Sequence, residues 1–344
     1  MTPVKNKKKL TPLKKKRPVG KKSLMDSNNK SIARVLVGVV LIVCVVESFN
    51  LFQSQPLKVK VQLISKVDGS ENPCGPFTAW GIAPIGTDKF VIADNQHDRL
   101  IEFDRQGKFL TAWGKHGSEV NNFHEPSGLV SDGKGNVYVA DTWNSSIKGF
   151  DEKGKMILDF DLTKYPGFFG PRGIGFDGSN LVIADTGSHR VALIGLDGTM
   201  GSSWGHMGSN SGEYKNLQDV TSDGKGDYFV ADTDNGRVQW LNKDGKVVEI
   251  IKDLPAVRAV AVDNQEKLYV ASDADGGTVK VYSLSANSHL FSSRVKLMGS
   301  LTDSSGSGSP FSGVRSMSIA PDGVLMLTIG NSAFLYKLTS ANPS

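Results

Sequence analysis

Residues 128–160 read GLVSDGKGNVYVADTWNSSIKGFDEKGKMILDF. Apolar runs of about four to six residues lie between residues typical of turns, at 128–131, 137–140, 147–150 and 156–160. Runs this short, bounded by glycine and aspartate, indicate β-strands and not helices. The stretch therefore predicts four short antiparallel strands.

The same pattern recurs along the chain. The dipeptide Ala-Asp closes an apolar run in four units, at Ala93-Asp94, Ala140-Asp141, Ala184-Asp185 and Ala231-Asp232. These aspartates are 44 to 47 residues apart, and thirteen residues after each stands a glycine: Gly107, Gly154, Gly198 and Gly245. Five residues after each stand Arg99, Ser146, Arg190 and Arg237. Four strands in a repeat of this length match one blade of a β-propeller.

The second unit resembles the NHL repeat. The residues that carry the resemblance are Phe123, Pro126, Gly128, Asn136, Val137, Tyr138, Val139, Ala140, Asp141, Asn144 and Ile147, together with Trp113-Gly114 leading into Gly117. The resemblance covers roughly residues 57–339; four units match well, and two, around 268–273 and 324–331, match loosely. It implies an all-β fold, a six-bladed β-propeller of NHL type over residues 53–344.

The last unit needs a strand from elsewhere. It supplies three strands, near 314–319, 324–329 and 334–338, and a fourth candidate stands at the start of the domain, at 59–65. We predict that this N-terminal strand completes the last blade, because ring closure removes exposed sheet edges.

The N-terminal region differs from the rest in charge. Residues 1–34 hold ten lysines, two arginines and one aspartate, whereas the remainder carries 28 basic and 34 acidic side chains. An acidic domain disfavours a nucleic-acid surface. The apolar run at 35–46 extends to a membrane-spanning helix if Arg34 and Glu47 sit at the two interfaces.

These features predict a single-pass membrane protein. Residues 1–31 form a basic, disordered cytoplasmic tail, residues 32–52 a transmembrane signal anchor, and the propeller is extracytoplasmic, in the periplasm or at the cell surface. A cleaved signal peptide is the open alternative, although no small-x-small site follows Val46.

The candidate binding site is the mouth of the central channel. Loops that lead into the innermost strands share one face of a propeller, and the repeat places there Trp80, Ser127, Arg172, Gln218, Arg258 and Arg315. Guanidinium groups match carboxylate, sulfate or phosphate, and an indole offers a stacking face to a sugar or peptide. A second ring adds Trp143 and Asn144 as ligand-binding candidates. The open alternative is that the arginines pair with neighbouring aspartates.

Two further sets of polar residues receive other roles. The aspartates of Ala-Asp are expected to be architectural, accepting backbone N–H bonds in the following turn, and Arg99, Arg190 and Arg237 to brace adjacent blades. Histidines in or near the same loops, His97, His124, His189 and His206, are the candidates for a zinc or calcium site in the alternative hypothesis.

The function expected from the sequence is binding. An anchored propeller would hold a protein, peptide or glycan partner outside the cytoplasm, with an anionic group at the channel mouth and without a cofactor. No catalytic residue is assigned, because no nucleophile elbow, phosphate loop or Cys/His pair is present. The alternative is a metal-dependent lyase or hydrolase of the NHL or lactonase-like propeller class.

Overall fold

The computed structural model describes residues 59–70, 72–273, 276–284, 294–303 and 310–339. The predicted tail (1–31) and anchor (32–52) lie outside the described residues. No helix in the described part of the chain has the length and apolar character needed to span a bilayer.

The described chain consists of short strands joined by tight turns. The strands are β1 (Val59–Asp68), β2 (Ala79–Ile85), β3 (Lys89–Asp94), β4 (Arg99–Asp104), β5 (Phe109–Trp113), β6 (Pro126–Ser131), β7 (Val137–Asp141), β8 (Ser146–Phe150), β9 (Met156–Asp161), β10 (Pro171–Phe176), β11 (Asn180–Asp185), β12 (Arg190–Gly195), β13 (Met200–Trp204), β14 (Leu217–Ser222), β15 (Tyr228–Asp232), β16 (Arg237–Leu241), β17 (Val247–Ile251), β18 (Val257–Val262), β19 (Lys267–Ser272), β20 (Thr278–Leu284), β21 (Val295–Asp303), β22 (Val314–Ile319), β23 (Val324–Ile329) and β24 (Ser332–Thr339). The helices of the described residues are single 3₁₀ turns at Asn95–His97, Leu162–Lys164, Thr186–Ser188 and Thr233–Asn235. The predicted all-β class is therefore confirmed.

The strands form repeated antiparallel sheets. Strands β2–β5, β6–β9, β10–β13 and β14–β17 each make a four-stranded sheet in chain order. The remaining strands form one eight-stranded sheet in the order β18-β19-β20-β21-β1-β24-β23-β22. Repeated four-stranded sheets are consistent with a propeller.

Strand β1 joins the two ends of the described chain. It pairs antiparallel with β24 from Lys60 opposite Thr339 to Asp68 opposite Ser332, with a bulge between Leu63 and Ser65. Its first residues also pair parallel with β21, where Val59 lies opposite Leu301. The strand expected at 59–65 is present, and it continues to Asp68.

The first strands of the sheets lie against one another in a closed cycle. Strand β2 contacts β6, and the contacts continue through β10, β14, β18 and β22 back to β2. Glycine permits this approach: a Cβ added at Gly128 would lie 2.2 Å from the Arg172 carbonyl oxygen, and one at Gly81 would lie 2.1 Å from that of Ser127. The narrow centre thus requires small residues on the innermost strands.

The core is distributed between neighbouring sheets. Within the described residues it comprises six apolar clusters: five are each shared by two adjacent sheets, and the sixth packs the two halves of the eight-stranded sheet against each other. One of them packs Phe90 and Phe103 of the β2–β5 sheet against Met326 and Leu335 of β23 and β24. Each fully buried aromatic or aliphatic side chain contributes about 1.5–3 kcal/mol, so the sheets stabilise one another around the cycle.

Candidate functional site

A cavity of about 550 Å³ opens where the first strands begin. All six residues predicted at the channel mouth line it: Trp80, Ser127, Arg172, Gln218, Arg258 and Arg315. Two carboxylates, Asp219 and Asp273, border the same cavity. The repeat therefore brings together side chains that are far apart in the sequence.

Two of the arginines stack on one indole. The guanidinium carbon of Arg172 lies 5.5 Å from the centroid of the Trp80 ring, and that of Arg315 lies 5.3 Å from it. No carboxylate of the described residues lies within salt-bridge distance of either guanidinium. A stacked guanidinium keeps its N–H groups in the plane of the fork, where they remain able to bind an anion.

Burial and mutual repulsion act on these two arginines. Burial lowers the pKa of Arg172 and of Arg315, and the positive charge of Arg258 lowers both further. For Arg172 the charge of Glu125 opposes this shift of the pKa. Guanidinium groups stay protonated in proteins, so the cavity concentrates positive charge that an anionic ligand would stabilise.

The third arginine has a carboxylate partner. Arg258 Nε lies 3.1 Å from Asp273 Oδ2, and both side chains are substantially exposed. Asp273 Oδ1 also accepts a hydrogen bond from the Gly313 backbone N–H at 3.2 Å. The pairing that the sequence left open as an alternative thus occurs at one of the three arginines.

Two uncharged polar residues of the mouth, Gln218 and Ser127, form hydrogen bonds within the protein. Gln218 Nε2 donates to Asn216 Oδ1 at 2.6 Å. Ser127 Oγ lies 2.7 Å from Thr142 Oγ1 and donates to the Arg172 carbonyl oxygen at 3.1 Å. Ser127 therefore fixes the backbone next to an arginine of the cavity.

Asp219 is a site residue that sequence reasoning missed. It stands one position beyond the mouth residue of its strand, where the other first strands have Gly81, Gly128, Gly173, Ala259 and Ser316. Burial raises its pKa to about 7, against the lowering effect of hydrogen bonds from two backbone N–H groups. A carboxylate among small residues was a visible signal in the aligned repeat.

A second, smaller cavity of about 170 Å³ lies deeper along the first strands. Three residues border both cavities: Gly128, Asp219 and Ser316. Asp219 therefore lies at the level where the two cavities meet.

Trp143 and Asn144 lie outside the residues that line the cavity. Asn144 Nδ2 donates to Asp141 Oδ2 at 2.7 Å and to the Gly117 carbonyl oxygen at 2.8 Å. The Trp143 ring is half exposed and meets the exposed Phe169 ring edge-on at 6.2 Å. Asn144 thus anchors a loop, whereas Trp143 offers an open aromatic surface.

The aspartates of Ala-Asp are architectural, but their backbone donors are not those expected. Asp94 Oδ1 accepts from the Thr78 N–H at 2.9 Å, and Asp141 Oδ1 accepts from the His124 N–H at 2.7 Å. These donors precede the first strand of the same sheet, and the expectation of backbone donors in the following turn was wrong. A buried carboxylate must accept hydrogen bonds, and the N–H groups that reach it here belong to the loop that leads into the first strand of the same sheet.

Arginines five residues after these aspartates bind the incoming loops. The Nε–Oδ2 distance is 2.7 Å for Arg99 with Asp94 and 2.7 Å for Arg237 with Asp232. Arg237 also donates to the carbonyl oxygens of Ser209, Asn210 and Glu213, in the connection from the preceding sheet. Such bonds tie neighbouring sheets together.

The candidate metal-binding histidines are dispersed. His97 Nδ1 lies 2.8 Å from Asp94 Oδ1, and His206 Nε2 lies 3.4 Å from Glu213 Oε1. The His124 ring lies 4.7 Å from that of His116, and His189 Nδ1 is buried with no hydrogen-bond partner among the described residues. In the part of the chain that the structure describes, no three His, Cys, Asp or Glu side chains are grouped to hold a metal ion.

Comparisons with known proteins agree with this architecture. The family model described as NHL repeat matches residues 123–150. A streptogramin B lyase structure is 12% identical with a TM-score of 0.53, and the match covers 80% of this chain and 97% of that one. Virginiamycin B lyase from Staphylococcus aureus is 11% identical with a TM-score of 0.53, covering 82% of this chain and 100% of that one.

A structural genomics protein of unknown function from Bacteroides thetaiotaomicron is 13% identical with a TM-score of 0.56, covering 81% of this chain and 76% of that one. At these identities the likeness is one of fold. The chain is thus an all-β protein of repeated four-stranded sheets that matches the NHL repeat at residues 123–150 and is similar in structure to propeller proteins.

Proposed function

We propose that this protein is a six-bladed propeller whose cavity binds an anionic group of a protein, peptide or glycan partner. The six-blade count is supported by the closed cycle of first strands, in which β22 returns to β2. It is supported also by β1, which adds a fourth strand next to β24.

The observation that carries the proposal is the group of arginines in the cavity. Arg172, Arg258 and Arg315 converge on one cavity, and only Arg258 has a carboxylate partner within the described residues. Uncompensated, partly buried guanidiniums are costly unless a ligand anion meets them. Carboxylate, sulfate and phosphate match the geometry of the guanidinium fork.

The exposed rings beside the loops favour a partner larger than a free ion. Trp143 and Phe169 are about half exposed, and both belong to loops at the end of the sheets where the cavity opens. Exposed aromatic side chains are frequent contact residues in protein and glycan recognition. The cavity would hold the anionic group, and the rings would contact the adjacent part of the partner.

The proposal includes the location expected from the sequence. A basic head followed by an apolar run supports a signal anchor at 32–52, with the tail at 1–31 in the cytoplasm and the propeller in the periplasm or at the cell surface. Binding would need no metal or other cofactor, and the acidic domain would not bind nucleic acid.

The test uses full-length protein immobilised for binding measurements. The probes are polyglutamate against polyglutamine peptides and hyaluronan against dextran oligosaccharides. We expect the acidic member of at least one pair to bind about tenfold more tightly, because charge-assisted hydrogen bonds replace neutral ones. Equal binding within both pairs would overturn the proposal.

The arginine assignment has a matched control. Replacing Arg172, Arg258 and Arg315 by alanine should abolish the preference for the acidic probe. Replacing the exposed turn residues Lys134, Lys153 and Lys243 by alanine removes the same charge at sites that do not line the cavity. This control variant should keep the preference for the acidic probe. Retained preference in the arginine variant would contradict the site.

A second candidate is the metal-dependent lyase or hydrolase, because two of the similar structures are lyases. It predicts stoichiometric zinc or calcium in full-length protein purified without chelator. It also predicts that chelation abolishes ligand binding, whereas the anion-binding proposal predicts no effect of chelation.

A further inference from the structure

Asp219 is the one carboxylate at a repeated position that otherwise holds small residues. The equivalent residues of the first strands are Gly81, Gly128, Gly173, Ala259 and Ser316. The strands are so close here that a Cβ added at Gly173 would lie 2.4 Å from the Asp219 Cα atom. A polar side chain is difficult to accommodate at this narrow level, so its presence needs a reason beyond packing.

The hydrogen bonds of Asp219 leave it able to accept more. Oδ1 accepts from the Val220 N–H at 2.9 Å, and Oδ2 accepts from the Val260 N–H at 3.0 Å. A carboxylate has about four acceptor positions, so each oxygen retains a free lone pair. No lysine, arginine or histidine of the described residues forms a salt bridge with it.

Asp219 lies in the same cavity as the three arginines, and deeper than they do. It follows Gln218 directly and so lies one residue deeper than the level of Arg172, Arg258 and Arg315, on the wall of the same cavity. If the guanidiniums held the anionic group of an acid, the neighbouring atoms of that acid would lie next to Asp219. A second anionic group would be repelled there, and a hydrogen-bond donor would be accepted.

The charge of the cavity distinguishes two kinds of donor. Three guanidiniums line it, and an ammonium group would be repelled by them. A hydroxyl group donates to the carboxylate without that cost. The donor that fits best is therefore a hydroxyl group close to the anionic group of the ligand.

We propose that Asp219 makes the cavity selective for hydroxylated acids of the uronic-acid type, with the carboxylate at the arginines and a hydroxyl group donating to Asp219. This inference rests on the proposed anion site, which it deepens by naming the ligand class. Asp219 is the residue that rejects acids without a hydroxyl group, since its desolvated carboxylate would then lose water without a replacement donor.

The experiment titrates full-length protein at about pH 8.5, above the raised pKa of Asp219 of about 7, with two ring acids of similar size. D-glucuronate carries hydroxyl groups beside its carboxylate, and cyclohexanecarboxylate does not. We expect the wild-type protein to bind glucuronate about tenfold more tightly, as a hydrogen bond to a charged group supports. Asp219→Ser, which copies the residue of β22, should reduce this ratio to about one, chiefly by raising the affinity for cyclohexanecarboxylate, because the desolvation cost of the carboxylate is removed.

Asp219→Asn is a second variant that is expected to fold, because its amide oxygen still accepts one backbone N–H. Like Asp219→Ser, it should lower the ratio of the two affinities. If neither acid binds to the wild-type protein, the anion site itself is wrong and the inference falls with it. If both bind equally, the anion site stands and the role of Asp219 is wrong. A ratio unchanged in both variants would equally overturn that role.

Discussion

The guanidinium carbon of Arg315 lies 5.3 Å from the centroid of the Trp80 ring, although the two residues belong to opposite ends of the described sequence. Arg172 approaches the same ring at 5.5 Å. The sequence predicted that the indole would offer a free stacking face to a ligand. In the structure the guanidiniums of Arg172 and Arg315 lie over it instead. Trp80 acts as the support that holds two guanidiniums in the cavity.

Replacing Trp80 should weaken anion binding without removing a charge. We expect Trp80→Leu to lower the affinity for cyclohexanecarboxylate about three- to tenfold, because each cation–π contact contributes about 0.5–1 kcal/mol. Trp80→Phe keeps an aromatic face and should lose less. Calorimetric titration checks the order; an affinity of Trp80→Leu equal to wild type would show that stacking does not organise the arginines.

Asp273 competes with a ligand anion for Arg258. The Arg258–Asp273 ion pair is half exposed, so its strength is modest. Asp273→Asn frees the guanidinium and removes a negative charge, while the amide oxygen can still accept from the Gly313 N–H. We expect affinity for the same acid to rise about two- to fivefold, the reverse of an arginine deletion. A fall in affinity would mean that Asp273 orients Arg258 for binding.

Lys148 replaces an arginine of the repeat. The second unit has Ser146 where three other units have Arg99, Arg190 and Arg237, and Lys148 Nζ instead reaches Asp141 Oδ2 at 2.9 Å. Both side chains are buried, with exposed fractions of 1% and 0%. Burial raises the pKa of Asp141, while hydrogen bonds from the His124 N–H, Asn144 and Lys148 oppose the rise. The ion pair is therefore held in the interior by several contacts.

Removing the lysine should destabilise the protein strongly. We expect Lys148→Met to lower the free energy of unfolding by about 3–5 kcal/mol, because it leaves a buried carboxylate without its partner. The double variant Ser146→Arg with Lys148→Ile copies the residues Arg99 and Ile101 of the first unit and should recover part of the loss. Urea unfolding measures both. The exposed Lys134→Met serves as control, within about 0.5 kcal/mol of wild type; an equally small effect of Lys148→Met would refute the argument.

The repeat made much of the fold predictable. Strands β22 and β23 begin and end at the predicted residues 314–319 and 324–329, because turn residues and apolar runs mark their ends. Strand β1 was predicted to end at Ser65, but it continues to Asp68, since the charged pair Lys66 and Asp68 concealed its last residues. The sequence pattern thus predicts where a strand lies better than it predicts the residue at which the strand ends.

The candidate site was predictable only in part. The six residues that the alignment placed at the channel mouth line the cavity, whereas Trp143 and Asn144 do not; the small residues around Asp219 would have identified that carboxylate as well. The stacking on Trp80 and the Arg258–Asp273 pair could not be read from the sequence. They depend on side-chain directions across different sheets, which repeat alignment does not contain.

The raised pKa of Asp219 should be visible in the pH dependence of stability. Burial raises its pKa to about 7 in the folded protein from an ordinary value of 3.8. Between these values the folded protein holds a proton that the unfolded chain has lost. The stability contributed by this group is thus complete below pH 3.8 and is lost as the pH rises through 7. Asp219→Asn stays neutral throughout and should not follow this loss.

We therefore expect the Tm of wild type to fall relative to that of Asp219→Asn between about pH 5 and pH 7, and the difference to level off above about pH 8. Each 1 kcal/mol corresponds to about 2–4 °C for a domain of this size, so the gap is measurable by calorimetry. Full-length proteins in the same buffers are compared, and the difference in Tm is plotted against pH. Parallel curves would mean that the Asp219 carboxylate is already ionised at pH 5, and that water or a ligand cation compensates its burial.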